Sequence, residues 1–260
     1  MAFMPENAPF VVLSFLGTCF LVAVGLLCIV VSAMCRWSIV FKSALAGTAG
    51  MIMLYSGALL LFSWTSQDLL LAPGQLKYFC EIDCHLAYSV EDVKTVDSLG
   101  TAPELIIPQG RFLIAKLKMW FDERTISPHR GNGLLTPNPR WVAVVDEYGR
   151  TYEPSAAGAR VLRETSHPVI PLTQALRPGE SVITSLVFDL PKEIKSPRLL
   201  VTDNDPITHF LINHEESFFH KKIFFQLNPL EGSSATLHEF PMPGCECGAG
   251  ARSFVIAAGF

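Results

Sequence analysis

The rhythm of apolar positions in this chain changes once, near residue 70. Before that point apolar residues run almost without interruption. No charged residue falls between Glu6 and Arg36, or between Lys42 and Asp68. Each gap exceeds the roughly 20 apolar residues with which an α-helix crosses a bilayer. The pattern therefore predicts two transmembrane helices, about Pro9–Met34 and Ser43–Trp64. Beyond residue 70, short segments alternate apolar and polar residues and are separated by turn signals, the period-two pattern of strands with one buried face.

Read in this way, Tyr78, Cys80, Ile82, Cys84, Leu86, Tyr88 and Val90 share one face of a first strand. Leu113, Ala115, Leu117, Met119 and Phe121 share a face of the next, with Lys116 and Lys118 on its other side. The run Trp141 to Val145 reads as a buried strand, and Asp146 to Arg150 reverses the chain toward Tyr152. Val182, Leu186, Phe188 and Leu190 repeat the inward alternation after the turn Arg177-Pro178-Gly179-Glu180, and Ile223 to Leu227 forms a late strand. A short helix is expected near Ser155 to Arg163. Two facing antiparallel sheets, each with one buried face, account for this series.

The first span lacks the basic n-region and short apolar core of a cleaved signal peptide, so it reads as a retained helix. Arg36 and Lys42 lie between the spans with no acid beside them, and the segment before the first span has no base. Lysine and arginine in short loops mark the cytoplasmic side. This puts the connector inside and both termini, with the β-domain, on the periplasmic or extracellular side of an inner membrane. Small residues at Ser43, Ala46, Gly47, Gly50 and Gly57 allow close helix approach in lipid. They are expected to pack on the first span, or else on another membrane subunit. Trp37 and Trp64 suit the two interfaces.

The remaining features narrow the function. The net charge of −4, with scattered charges and no basic stripe, excludes a nucleic-acid partner. The bilayer itself and a membrane or extracytoplasmic protein are the partners expected. Serines are present, but none sits in a Gly-x-Ser-x-Gly elbow, so no enzyme is predicted.

One series of motifs resembles a known family. Gly110-Arg111-Phe112-Leu113-Ile114 is followed by Trp141 through Pro154, with its Asp146…Gly149 turn before Tyr152. Leu176-Arg177-Pro178-Gly179-Glu180-Ser181 and Leu186-Val187-Phe188-Asp189-Leu190-Pro191 come next. In this order they resemble the immunoglobulin-like domains of unknown function on bacterial cell-surface proteins and lipoproteins. The resemblance covers about residues 78–203 and implies an extracytoplasmic binding or scaffolding domain without catalytic residues. Three departures stand out: a two-helix anchor, an insertion from Asp122 to Gly133, and the segment Cys80-Glu81-Ile82-Asp83-Cys84-His85. The helical hairpin followed by a β-domain also resembles the layout of subunit II of haem-copper oxidases. The Cys80-x3-Cys84 spacing matches the start of that subunit's copper motif, but His85 and the missing methionine do not fit it.

The expected fold class is thus a membrane-anchored all-β protein. A transmembrane helical hairpin (1–70, helices about 9–34 and 43–64) is followed by an immunoglobulin-like antiparallel β-sandwich (76–230) and a Gly- and Cys-containing tail (231–260). The expected function is a non-catalytic accessory or scaffold protein with no cofactor. The alternative is copper or zinc binding through Cys80, Cys84 and His85, thiolates and imidazole being soft donors. A regular strand would set Cys80 and Cys84 about 13 Å apart, so they can form a disulfide or share a metal only if the segment bends; structural thiols or disulfides, including pairing with Cys245 and Cys247, or simple core cysteines are the other readings. Cys245 and Cys247 offer a second thiol pair. His209, His214 and His220 with Glu215 and Glu216 read as a surface loop. A subunit of a respiratory or photosynthetic complex is a further alternative.

Overall fold

The computed structural model describes residues 2–3, 8–79, 85–101, 103–127, 129–164, 168–203 and 205–227. The apolar first quarter forms α1 (Ala8–Met34) and α2 (Ser38–Thr65), both long and apolar enough to cross a membrane. The less exposed positions of α1 fall at residues 11, 15, 18, 22, 25, 29 and 32, and those of α2 include 41, 44, 48, 51, 55 and 58. Alternating steps of three and four define a seam of coiled-coil type. Along it the rings of Phe15 and Tyr55 lie 6.3 Å apart. A Cβ on Gly25 would collide with Thr48 Oγ1, so the tightest approach is set by a glycine of α1.

Gly47 and Gly57 of α2 lie off this seam, which takes Ala44 and Ala58 instead. A Cβ at Gly47, Gly50 or Gly57 would meet open space, so the expectation that these glycines pack on the first span is corrected. The wider side chains of Phe15 and Tyr55, with Gly25 opposite Thr48, select a different face. The reversal between the helices is also shorter than the charge pattern suggests. Arg36 adopts φ 57°, and Trp37 N donates to Ser32 O (2.9 Å) while Arg36 N donates to Ala33 O (3.3 Å). These two bonds form a Schellman stop with arginine in the left-handed position usually held by glycine. Ser38 to Lys42 belong to α2 because nothing in them breaks a helix, so Lys42 lies within the helix and does not mark its end.

Among the described residues, ten strands follow the chain as β1 (Ala2–Phe3), β2 (Leu69–Leu71), β3 (Leu76–Phe79), β4 (Leu86–Val96), β5 (Arg111–Phe121), β6 (Arg140–Val145), β7 (Thr151–Tyr152), β8 (Ser181–Leu190), β9 (Arg198–Asp203) and β10 (Ile223–Gln226). They form two five-stranded sheets, ordered β1-β3-β4-β5-β8 and β2-β10-β9-β6-β7. Pairing is antiparallel except at β1–β3 and β2–β10. Those two exceptions are the strands that flank the helices: β1 precedes α1 and β2 follows α2. Each end of the helical hairpin thus adds an edge strand to a different sheet.

The two sheets bury one shared core. Leu86, Tyr88, Val90, Leu113, Leu117, Phe121, Phe188 and Leu190 of the first meet Val142, Val144, Leu199, Val201, Ile223 and Phe225 of the second. The inward faces expected for β5 and β8 are found, and the buried run expected at β6 is buried from Val142 to Val145 with Trp141 half-buried. In β4 a bulge between Val90 and Asp92 lets both Val90 and Val93 point inward. The outer face of the first sheet is covered by α3 (Ala156–Glu164), whose Val161 and Leu162 pack on Phe112, Ile114 and Val187. The free edge of β8 is occupied as well, because Ser155 N donates to Val187 O and Ser185 N to Pro168 O. Covering an edge removes a template for unwanted strand pairing.

The segment from Tyr78 to Val90 is not a single strand, because Phe79 pairs with Leu86 and Lys77 with Tyr88 in an antiparallel ladder. The chain therefore reverses between β3 and β4. Tyr78, partner of Ala87, lies on the opposite face from Leu86 and Tyr88. Period-two alternation reads the same across a hairpin as along a strand, so the pattern concealed the reversal.

Candidate functional site

The pairing of β3 with β4 aims Lys77 into the space between the sheets, where it is 1% exposed. Its Nζ donates to Val201 O at 2.7 Å and Ile223 O at 3.4 Å. It forms an ion pair with Glu215 Oε2 at 2.7 Å and stands 4.8 Å from the centroid of the Phe79 ring. Arg140, also buried, lies 4.4 Å from that ring and pairs with Asp203. Burial pushes the Lys77 ammonium down and the Glu215 carboxyl up, with their mutual attraction opposing both shifts.

Glu215 belongs to the loop between β9 and β10, which opens with a 3-10 turn at Pro206–Phe210 capped by Asp205. The neighbouring Glu216 accepts from Thr202 Oγ1 and from Lys222 Nζ (2.9 Å), and its carbonyl meets His209 Nδ1. Lys222 Nζ also donates to Glu215 O at 2.8 Å. Burial lowers the pKa of His214 to about 4, with Glu216 opposing and Lys222, His220 and Lys77 adding to the shift. The surface reading of this loop is therefore corrected: its two glutamates are drawn under it and lock it onto both sheets. Much of its outside is apolar, with Ile207, Phe210, Phe218 and Phe219 exposed beside the polar Asp205 and Asn213. The loop also touches the helical hairpin, where Tyr55 Oη donates to Phe210 O at 2.8 Å.

A second polar cluster lies at the far end of β3. Tyr78 Oη donates to Asp122 Oδ2 at 2.6 Å, and Arg124 donates to Asp122 through its backbone N, Nε and Nη2 at 2.9–3.0 Å. Burial of Asp122 works to raise its pKa, but hydrogen bonds from Arg124 and Tyr78 outweigh this and hold it at about 2. Burial and the bond to Asp122 push Tyr78 up to about 12. The inserted loop is thereby pinned at its first residue. His85, also buried, places Nδ1 2.8 Å from Thr125 Oγ1 of that loop and stacks on Phe121 at 5.8 Å.

Of the residues expected to bind metal, only His85 can be placed. Cys80 and Cys84 lie outside the described residues, as do Cys245, Cys247 and the tail from 231. Among the described residues, no group of three or more His, Cys, Asp and Glu is arranged to hold a metal ion. Lys77, Arg140 and Asp203 escaped the sequence reading because a charge at an inward strand position runs against the alternation that defines the strand. Glu215 and Glu216 were found as a polar pair, but nothing local distinguishes a buried pair from an exposed one. What these groups can do is mechanical. Each carboxylate is held by cationic or hydroxyl donors: Glu215 and Glu216 join their loop to the two sheets, and Asp203 ties β9 to β6 through Arg140.

No family model matches the chain, and no curated protein sequence matches it. Similar solved structures include a conserved hypothetical protein from Bacillus anthracis, at 17% identity over 49% of this chain and 92% of that one, with a TM-score of 0.36. The secreted protein MPT63 from Mycobacterium tuberculosis is 12% identical over 62% and 99%, with a TM-score of 0.38. The yjhA protein from Bacillus subtilis is 15% identical over 61% and 99%, with a TM-score of 0.38.

Proposed function

We propose that this chain is a non-catalytic, membrane-anchored accessory or scaffold protein. It presents an immunoglobulin-like sandwich to protein partners on the periplasmic or extracellular side of the membrane. One observation carries the reading: β1 and β2, at the two ends of the helical hairpin, join different sheets. A domain built in this way is held in a set position over its anchor, as a docking platform requires. It also keeps both ends of the hairpin on one side, in agreement with the cytoplasmic placement of Arg36 and Lys42. The glycine face of α2 left free by the seam supports a further contact within the membrane, as in an accessory subunit of a respiratory or photosynthetic complex.

The test is co-purification of the tagged full chain from mild detergent. A membrane or extracytoplasmic protein is expected at near-equal stoichiometry, and the Cys80→Ser/Cys84→Ser variant should retain it. Recovery of the chain alone, or loss of capture in that variant while still folded, would overturn the scaffold reading. Cys35 beside the turn reports orientation, because an impermeant maleimide should modify it only after lysis. Modification in intact cells would invert the topology.

Copper or zinc binding through Cys80, Cys84 and His85 is the second reading. The observation in its favour is the reversal between Phe79 and Leu86, which removes the spacing of a regular strand as an objection. The intact native mass of the chain, purified without chelator or reductant, distinguishes the two. A metal increment supports the metal site, and a metal-free mass leaves the scaffold.

A further inference from the structure

The loop between β9 and β10 distributes its residues in the reverse of the usual order for a water-facing connection. Glu215, Glu216 and Ser217 turn inward, to Lys77, Lys222 and Leu211 O, while Phe219 stands 82% exposed and Ile207, Phe210 and Phe218 are exposed around it. Phe210 and Phe218 meet edge to face at 5.4 Å, and His209 lies against Phe218 at 5.5 Å. Much of the loop's backbone pairs locally, through Thr208 N to Asp205 O, Leu211 N to Thr208 O, His214 N to Leu211 O, Ser217 N to His214 O and His220 N to Ser217 O. Internal satisfaction of the backbone is what lipid demands of any chain that enters it.

The loop's depth can be read along α2. At its end, Lys221 N donates to Ser66 Oγ and Lys222 N to Asp68 Oδ1, level with the helix terminus. Its tip is level with Tyr55, whose hydroxyl meets Phe210 O. From Ser66 back to Tyr55 an α-helix descends about 16 Å. Counted from the other side, Lys42 to Tyr55 covers only about 20 Å, short of the roughly 30 Å hydrocarbon core that α2 must cross. The level of Tyr55 therefore falls inside the apolar layer, about 10 Å below its outer boundary.

We infer that residues 206–219 form a lipid-embedded wedge, set in the leaflet on the domain's side against α2, with Ile207, Phe210, Phe218 and Phe219 in contact with acyl chains. The wedge rests on the reading of α1 and α2 as a membrane anchor. With the two edge strands, it gives the domain a third attachment and fixes its tilt over the bilayer. Leu54 and Phe62 of α2 are exposed as well, and the loop meets α2 through Tyr55; one solvent, the acyl chains, would cover both.

The test uses the full chain reconstituted in vesicles of phosphatidylethanolamine and phosphatidylglycerol. p-Benzoylphenylalanine replaces Phe219, Leu54 or Tyr148 in turn; Leu54 is exposed on α2, and Tyr148 is exposed at the β6–β7 turn. After illumination, lipid adducts are measured by mass spectrometry. The expected result is a lipid adduct at Phe219 comparable to that at Leu54 and at least about tenfold above that at Tyr148, as a residue buried in the acyl layer requires. Adducts at Leu54 but not at Phe219, or a protein adduct at Phe219, would overturn the wedge and leave the anchor standing. Lack of lipid adducts at Leu54 would overturn the anchor, and the wedge with it.

Discussion

Lys77→Met tests the charged lock between the sheets most directly. Methionine fills much of the same volume but removes the ammonium from Val201 O, Ile223 O and Glu215. The Glu215 side chain, 10% exposed, then remains beneath the loop without its cation. Removing one partner of a buried pair typically costs about 3–5 kcal/mol, because the remaining charge stays desolvated. For a domain of this size each kcal/mol moves the melting temperature by about 2–4 °C, so a loss of roughly 6–20 °C is expected. The double variant Lys77→Met/Glu215→Leu removes both charges and should recover most of that loss, since apolar replacement of a whole buried pair is often close to neutral. The assay is thermal unfolding of the full chain in detergent, followed by near-ultraviolet circular dichroism, for the two single variants and the double. A Lys77→Met loss below about 1 kcal/mol, or a double variant equal to the sum of the singles, would refute the coupling.

Acid should weaken the fold in two stages. The lowered pKa of His214 makes its contribution complete above its unfolded value of about 6.5 and lost as pH falls through about 4. The lowered pKa of Asp122 makes its contribution complete above about 3.9 and lost as pH falls through about 2. His214→Asn should flatten the melting temperature between pH 6.5 and 4 alone; an unchanged slope there would count against burial of that imidazole. Gly158→Ala has a sign set by packing. A Cβ would lie 2.7 Å from Val187 Cγ1, and overpacking of about 1–3 kcal/mol exceeds the roughly 1 kcal/mol helix-propensity gain. The variant should melt lower than the parent, but higher than Val187→Ala when the two are combined. A higher melting temperature for Gly158→Ala alone would show that α3 can move off β8.

What was legible in the sequence was what depends on local pattern. The two charge gaps gave the helices, Leu113 to Phe121 gave an inward strand face, and Asp146 with Gly149 gave a turn whose carboxylate accepts from Tyr148 N and Arg150 N. What escaped depends on pairing at a distance. Nothing near Ala2 or Leu69 announces an edge strand, because their partners, Leu76 and Ile223, become neighbours only once the sheets assemble. Lys77 reads as an outward residue until Glu215 arrives from far along the chain. The small-residue stripe of α2 was visible, but which face meets α1 depended on Gly25 and Thr48 together.

The parallel pairing of β1 with β3 also bears on the order of assembly. These strands lie on either side of both helices, so their ladder can close only when the two ends of the hairpin have reached the same compartment. A chain with one helix inserted and the other stalled would leave the edge of β3 open, a free template for another strand. Without that ladder Leu76 and Lys77 would lack their partners Ala2 and Phe3, so this short edge couples completion of the first sheet to closure of the helical hairpin.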